Sequence, residues 1–165
     1  MSSLPPRASA FTELLLSVLR LHGLLIAAGD ELARPVGLSS ARWQVLGVVE
    51  HGAASVSDIA KAMCLKRQSV QETVTSLAEG GFVAFEDNPR HRRAKLVVLT
   101  AKGRRALDVV IEAHRGWATR IGKAASLPSM QSANEVLRAL ETALSSDATA
   151  EPVAEKVPSP RRSIT

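Results

Sequence analysis

Two groups of polar side chains in the middle of the chain have the residue types and spacing to bind a polyanion. The first group is Lys66, Arg67, Gln68, Ser69, Gln71 and Glu72. The second group is Arg90, Arg92 and Arg93. Arginine can bond guanine, glutamine can bond adenine, glutamate accepts a hydrogen bond from cytosine, and lysine binds phosphate. Clustered arginines repel one another unless an anion lies near them, so both groups predict contact with nucleic acid.

The positive charge of the chain is concentrated around these two groups. Residues 61–105 contain ten Lys or Arg and four Asp or Glu, a balance of +6, whereas the whole chain of 165 residues carries +5. A local excess of this kind points to a polyanionic partner, either nucleic acid or an anionic membrane. The segment that holds both groups is therefore the first candidate for a binding surface.

The first group lies on the second of two predicted short helices. Ser55 and Asp58 have the spacing of a capping box, with Asp in place of the usual Glu, and open the first helix. A link over residues 63–66 leads to the second helix, predicted over Arg67–Glu79. Its inward stripe is Val70, Val74 and Leu77. This pair predicts a helix-turn-helix, which places its second helix in the DNA major groove.

The three arginines lie on a predicted β-hairpin. Residues 82–86 and 93–99 are rich in strand-forming side chains, and the turn over residues 87–91 contains Asp, Asn and Pro. A basic hairpin beside a helix-turn-helix can reach the minor groove or the DNA backbone. The fold class predicted is mainly α (α+β), a winged helix-turn-helix with a two-stranded β-wing.

Long apolar helices are predicted on both sides of this winged helix. The first covers residues 11–32 and ends before the Arg34-Pro35 step. Its apolar positions surround most of its circumference, which burial between two subunits would require and one covered face would not. The last covers residues 129–144, where Ala133, Leu137, Leu140 and Leu144 follow the 4-3-4 spacing of a helix that packs on a partner helix.

These helices predict a homodimer with a helical dimerisation region formed by the N- and C-terminal helices. The predicted interface leucines are Leu15, Leu19, Leu137, Leu140 and Leu144. Two more helices are predicted, from Ser39 or Ser40 to Glu50 and from a Thr100 cap to about residue 125. The chain then divides into a flexible leader (1–10), a body (11–145) and a disordered tail (146–165). Within the body, the dimerisation helices cover 11–33 and 104–145, and the DNA-binding part covers about 38–103.

Composition excludes several other classes of protein. The apolar run over residues 14–28 contains Arg20 and His22, so it does not supply the roughly 20 uninterrupted apolar residues of a membrane span. We expect it to be a buried helix of a cytoplasmic protein. The single cysteine, Cys64, excludes an internal disulfide and a Cys-rich zinc site, and we expect it to be buried and inert. No catalytic constellation is visible, so the prediction is a non-enzyme without metal or cofactor.

These residues are similar to the MarR family of bacterial transcription regulators, over about residues 11–144. The resemblance is strongest at residues 38–46, in the helix-turn-helix, and at residues 88–100 followed by Lys102-Gly103. It implies a homodimer in which the first and last helices intertwine and two winged helices read a near-palindromic site. It also implies that Arg93 is the minor-groove arginine.

Three positions depart from the family pattern. His91 stands where many relatives have an Asp that pairs with the wing arginine, so that brace is absent here or sensitive to pH. Cys64 stands where the turn of the helix-turn-helix often has Gly. Lys66 stands at the N-cap of the recognition helix, where Ser or Thr is usual.

The resemblance further implies a small-molecule pocket between the dimer helices and the winged helix, often occupied by an aromatic acid. The candidate lining residues are His22, Arg42, Trp43, His114 and Trp117. The predicted function is a DNA-binding repressor released by such an inducer. Two alternatives remain open at this point: a ligand-independent architectural DNA-binding protein, and a dimeric module whose winged helix binds protein.

Overall fold

Six α-helices and three short strands make up the described part of the chain. The structure is a computed structural model, and it describes residues 4–89, 91 and 93–147. The helices are α1 (Pro6–Ala33), α2 (Ser40–Glu50), α3 (Val56–Ala62), α4 (Arg67–Glu79), α5 (Ala101–Ile121) and α6 (Leu127–Asp147). The strands are β1 (Ala54–Ser55), β2 (Val83–Glu86) and β3 (Leu96–Leu99). Short 3-10 turns, Arg34–Val36 and Gly122–Ala124, follow α1 and α5.

The sheet is antiparallel, with β3 in the middle and the order β1-β3-β2. Val83 pairs with Leu99 and Glu86 with Leu96, so β2 and β3 form the predicted hairpin. The mainly helical winged fold is confirmed, but the sheet is larger than the predicted two-stranded wing. Ala54 pairs with Val97 and adds β1 as a third strand beside the helix-turn-helix.

Local capping explains where the helices begin. The Ser39 side chain accepts a hydrogen bond from the Arg42 N–H, and Ser55 and Asp58 form the predicted capping box at α3. The bounds of α4 are those predicted. By contrast, α1 begins at Pro6, five residues before the predicted start at residue 11, and α6 contains Pro128 in its first turn. Proline fits the first turn of a helix because its missing N–H would have no partner there.

The core lies between α2, α3, α4, α5 and the sheet. Its fully buried side chains include Leu46, Ile59, Val74, Leu77, Val97 and Leu107. The inward stripe predicted for α4, Val70, Val74 and Leu77, is buried as expected, and α3 buries Ile59 and Ala60. The winged helix thus closes an apolar core using its own elements, which is the main source of its stability.

The base of the hairpin is tied to the end of α4 and the start of α5. Thr100 donates a hydrogen bond from Oγ1 to the Gly81 carbonyl at 2.7 Å, and the same oxygen accepts one from the Gly103 N–H at 3.0 Å. Lys102 donates from Nζ to the Gly80 carbonyl at 2.7 Å and lies 4.4 Å from the centroid of the Phe82 ring. A Cβ at Gly103 would collide with the Phe82 carbonyl oxygen. This close approach fixes where the hairpin leaves the body.

Helix α1 is largely exposed, which differs from the deep burial expected for it. All 28 of its residues are described, and Gly29 and Ala33 are the two that are buried. Leu15 and Leu19 are exposed along its length. The helical stretch over residues 6–36 contains an 18-residue window with a mean hydropathy of 1.6, so it is long and apolar enough to cross a membrane by length and composition. Core helices of soluble proteins and N-terminal signal sequences pass the same test, so the apolarity of α1 does not by itself assign it to a membrane.

The chain divides into two compact units at residue 120, and the described residues of the second unit are 120–147. Its helix α6 is described throughout and contains no buried residue. Leu137 and Leu144 are exposed, and Leu140 is half-buried. The tail was predicted over residues 146–165; residues 146 and 147 belong to α6 instead, and residues 148–165 lie outside the described residues.

Candidate nucleic-acid interface

The polar residues of α4 lie on the face opposite its buried stripe. The exposed set is Lys66, Arg67, Gln68, Ser69, Gln71 and Glu72, the six residues predicted from the sequence. Gln68 donates from Nε2 to Glu72 Oε1 at 3.4 Å, and Gln71 donates from Nε2 to Thr75 Oγ1 at 3.3 Å. These contacts hold the amides along the helix surface. The face carries donors and acceptors that match the edges of DNA bases.

The turn before α4 differs from the expectation of a buried thiol. Cys64 has a φ of 52°, in the left-handed region, and its side chain is exposed. Met63 packs against the core instead, so the apolar side of the turn is already filled. The left-handed conformation at Cys64 explains why glycine suits this position, because a Cβ is disfavoured there. Lys66 then begins α4 as an N-cap in extended conformation, with no side-chain hydrogen bond.

The wing presents Arg93 to solvent, while Arg90 and Arg92 lie outside the described residues. The hairpin turn is closed by backbone hydrogen bonds, from the His91 N–H to the Asn88 carbonyl and from the Ala94 N–H to the His91 carbonyl. On one side of this turn is a cavity of about 680 Å³ between the hairpin and the start of α3.

His91 faces an acid of α3 across that cavity. Asp58 and His91 both line it. The pKa of Asp58 is lowered, first by the hydrogen bonds it accepts from the side chain and backbone of Ser55, then by Lys61 and His91. The residue that replaces the family's wing aspartate therefore lies near a carboxylate of the helix-turn-helix.

On its other side, the hairpin forms a cleft with the recognition helix. This cleft of about 260 Å³ is lined by Arg67 and Gln71 of α4, Phe85 of β2, and Arg93 and Lys95 of the wing. Phe85 and Lys95 were not among the residues predicted from the sequence. The available signal for Lys95 was its place in the sequence, since it follows Arg93 by two residues in the basic part of the hairpin. The structure thus brings the recognition helix and the wing to one basic surface.

Four of the five predicted ligand-site residues meet in a separate cavity of about 310 Å³ between α1, α2 and α5. They are His22, Trp43, His114 and Trp117. The His114 ring centroid lies 6.0 Å from that of Trp43 and 5.6 Å from that of Trp117. The rings form a continuous wall that suits a flat, conjugated molecule.

Arg42, the fifth predicted ligand-site residue, does not line this cavity. It donates a hydrogen bond from Nη2 to Ser76 Oγ of α4 at 2.7 Å. Successive residues on an α-helix lie about 100° apart, so Arg42 cannot share the direction of Trp43. This hydrogen bond connects α2, which lines the cavity, to α4, the recognition helix.

The cavity also has polar residues that sequence reasoning missed. Ser40 is 2% exposed, its N–H donates to Asp30 Oδ1 at 2.6 Å, and its Oγ accepts from Gln44 Nε2 at 2.9 Å. A Cβ at Gly29 would collide with the Ser40 side chain, so α1 and α2 cross closely here. The buried Trp43 Nε1 has no hydrogen-bond partner among the described residues. Among all the described residues, no group of three or more His, Cys, Asp or Glu side chains could hold a metal ion.

Comparison with known proteins agrees with this architecture. A profile described as the MarR family matches residues 36–94, from the turn after α1 to the wing. An uncharacterized protein of Mycobacterium tuberculosis, Rv2011c, is 34% identical over 134 residues, which cover 81% of this chain and 94% of that protein. The transcriptional activatory protein BadR of Rhodopseudomonas palustris is 28% identical over 93 residues, covering 54% of this chain and 53% of BadR.

Solved structures of other regulators share this fold. The chain is similar to Sco5413, a MarR family transcriptional regulator of Streptomyces coelicolor, with a TM-score of 0.70 and 26% identity, covering 86% of this chain and 96% of that one. CouR of Rhodococcus jostii, solved with p-coumaroyl-CoA, has a TM-score of 0.67 and 25% identity, with coverages of 76% and 88%. MosR of M. tuberculosis, solved with DNA, shares the fold, with a TM-score of 0.67 and 24% identity, covering 78% and 96%.

Proposed function

Because the chain belongs to the MarR family of DNA-binding transcription regulators, we propose that it acts as a homodimer that binds a near-palindromic DNA site and represses the adjacent genes. The observation that carries this proposal is the exposed polar face of α4 beside the arginine of the wing. The protein would act in the cytoplasm, where bacterial DNA is accessible.

The homodimer is supported by the apolar surface that a single chain leaves uncovered. Leu15 and Leu19 of α1, with Leu137, Leu140 and Leu144 of α6, would lie at the subunit interface. Closed oligomers of identical subunits are most often two-fold symmetric. Two symmetric recognition helices bind two half-sites, so the DNA site is expected to be near-palindromic.

Each part of the surface has a chemical role in this proposal. Gln68 and Gln71 would bond adenine edges, and Glu72 would accept from cytosine. Lys66 would bind phosphate, which positions the protein without specifying sequence. Arg67 would reach guanine, and Ser69 would bond either a base or the backbone. Arg93, with Arg90 and Arg92 beside it, would reach the minor groove, where arginine is favoured by the negative potential.

The cavity between α1, α2 and α5 would bind a small aromatic acid that releases the DNA. His22 and His114 supply polar ring nitrogens, while Trp43 and Trp117 supply apolar faces. CouR, solved with p-coumaroyl-CoA, is a relative that binds an aromatic acyl group. An inducer must bind one spacing of the two recognition helices better than the other, because equal affinity for both shifts nothing.

We would test the proposal by fluorescence anisotropy with DNA from the region upstream of the protein's own gene, against scrambled DNA of equal length, across a salt series. A preference of about a thousandfold or more is expected. Gln71→Ala should reduce the preference, while Arg20→Ala, which removes a charge on α1, should change neither the preference nor the salt slope. Equal binding of both DNAs would favour the architectural role, and binding of neither would favour a protein-interaction module.

The sign of regulation needs a second measurement, because BadR is named as an activatory protein. Transcription in vitro from the bound promoter, with and without the protein, separates the two signs. Repression should lower the transcript, and an aromatic acid that releases the DNA in the anisotropy assay should restore it. A rise in transcript on adding the protein would establish the activator instead.

A further inference from the structure

We infer that Lys95 and Phe85 seat one sugar–phosphate unit of the DNA backbone in the cleft between α4 and the wing. This inference rests on the proposed function, since it concerns how the same surface holds DNA. Neither residue was among the polar groups selected from the sequence. The contact would position the winged helix on DNA without reading a base.

The composition of the cleft favours an anion. Arg67, Arg93 and Lys95 line it, and the described residues of its lining include no carboxylate. The ion pairs among the described residues, which join Arg34, Arg104 and Arg115 to glutamates, involve none of these three cations. Three positive charges around about 260 Å³ repel one another until an anion enters.

The apolar ring of Phe85 lies in the same cleft as Lys95. Phe85 pairs with Val97, and residues directly opposite each other on paired strands project to the same face. Val97 is buried, but Phe85 is 39% exposed because it lies where the hairpin extends beyond the core. Lys95 lies just before β3, which begins at Leu96, and it lines the same cleft as Phe85. A lysine beside an exposed ring matches a phosphate joined to a deoxyribose.

Docking geometry brings DNA backbone to this point. A helix in the major groove and a hairpin in the adjacent minor groove stand on either side of one sugar–phosphate strand. In this protein the space between α4 and the hairpin is the cleft, so that strand must pass through it. Arg67 and Arg93 line the cleft, and long cationic side chains commonly lie along a surface while their charged ends reach outward, so both can also extend to the grooves.

The first test is Lys95→Ala in the full chain, with Lys123→Ala as the matched control that removes a lysine from the turn after α5. Lys95→Ala should weaken binding about tenfold on the upstream DNA and on scrambled DNA alike, because the backbone is the same in both. The slope of log K against log salt should fall by about 0.9 for one lost phosphate contact. The control should change neither quantity.

The second test locates the phosphate. Neutral methylphosphonates replace the phosphates of the duplex one at a time, and each duplex is bound by wild type and by Lys95→Ala. At one position in each half-site, the wild type should lose the same factor of about ten, and Lys95→Ala should lose nothing further. Losses that multiply at every position would overturn the inference.

Phe85 is tested by Phe85→Ala and Phe85→Leu, with far-UV circular dichroism to confirm that each variant folds. Phe85→Ala should weaken binding to both DNAs with an unchanged salt slope, since it removes an apolar contact, and Phe85→Leu should recover part of the loss. An upstream preference in wild type with Lys95→Ala unaltered would overturn this inference and leave the proposed function standing. Absence of wild-type binding to any DNA would overturn both.

Discussion

The winged helix buries its apolar side chains within one chain, whereas the flanking helix α1 leaves most of its apolar side chains exposed. In the winged helix, Ile59, Val74 and Leu77 are completely buried by neighbouring elements of the same chain. On α1, Leu19 is 59% exposed and Leu24 is 69% exposed. Burial of a leucine stabilises a protein by about 1.5–3 kcal/mol, and α1 leaves most of that contribution unrealised in one chain.

The difference teaches that the two regions have different partners. The winged helix is complete as a packed core, and the surface that we expect to bind DNA is mainly polar and charged, with Phe85 as its exposed ring. A long row of exposed leucines marks a protein-interaction surface, because monomeric proteins seldom expose contiguous apolar patches of that size. Folding of the winged helix should therefore depend weakly on protein concentration, and ordering of α1 should depend on it strongly.

The largest expected effect is on self-association. The double variant Leu15→Glu, Leu19→Glu places two carboxylates on the surface we assign to the dimer, and burying an unpaired charge costs several kcal/mol. The dimer dissociation constant should rise by about a thousandfold or more. Sedimentation velocity measures this, with Ala62→Glu on α3 as a control that adds the same charge to the winged helix. An intact dimer in the double variant would place the interface elsewhere.

A core substitution in the winged helix should act without regard to the dimer. Leu46→Ala opens a cavity in the core and should lower the free energy of unfolding by about 2–5 kcal/mol. We expect this loss, measured by urea denaturation, to be the same at low and high protein concentration. Leu19→Ala should instead destabilise the protein mainly at concentrations where the dimer forms. Equal behaviour of the two variants would remove the distinction between the regions.

Two glycines on α5 give a sharper comparison of the same substitution. Gly103→Ala should destabilise the fold by about 1–3 kcal/mol, because the new Cβ would collide with the Phe82 carbonyl and move the hairpin. Gly116→Ala has open space and should stabilise the helix by about 0.5–1 kcal/mol. Thermal denaturation monitored by circular dichroism distinguishes the signs. A destabilising Gly116→Ala would mean that a partner chain approaches α5 there.

The smallest expected effect is the dependence of stability on pH through Asp58. Its pKa is lowered in the folded state by hydrogen bonds from Ser55, so folding favours the charged form. That stabilisation is present above the unfolded pKa of about 4 and is lost as pH falls through the lower folded pKa. Asp58→Asn should therefore lose less stability than wild type between pH 5 and pH 3, measured by urea denaturation. Identical losses would show that the capping box contributes nothing to acid unfolding.

The sequence predicted best those elements that combine a cap with a strong stripe. Helix α4 has the predicted bounds because Val70, Val74 and Leu77 repeat at helical spacing and Gly80 follows. Strand β1 was missed because two residues, Ala54 and Ser55, are too few to show alternation, and only their pairing with β3 defines them. Exposure was also mispredicted at Cys64, since its left-handed backbone is set by the fold of the turn.

For the candidate site, the sequence found residue types better than directions. The polar face of α4 followed from the position of its buried stripe, and four ring-bearing residues predicted for the ligand site do share one cavity. Arg42 was included as a residue of the second helix, but it bonds Ser76 on α4 and does not line the cavity. Phe85 and Lys95 could not be selected, because the cleft they line exists only where two separate elements meet.

The ties made by Thr100 and Lys102 at the base of the hairpin have a consequence for how DNA sequence is selected. They fix the distance between the recognition helix and the base of the hairpin. The two DNA-contacting elements are therefore held at a fixed spacing. A-tracts narrow the minor groove and flexible steps widen or kink it, at an energetic cost that depends on sequence. A fixed spacing between the recognition helix and the hairpin should therefore discriminate among base pairs that no side chain touches.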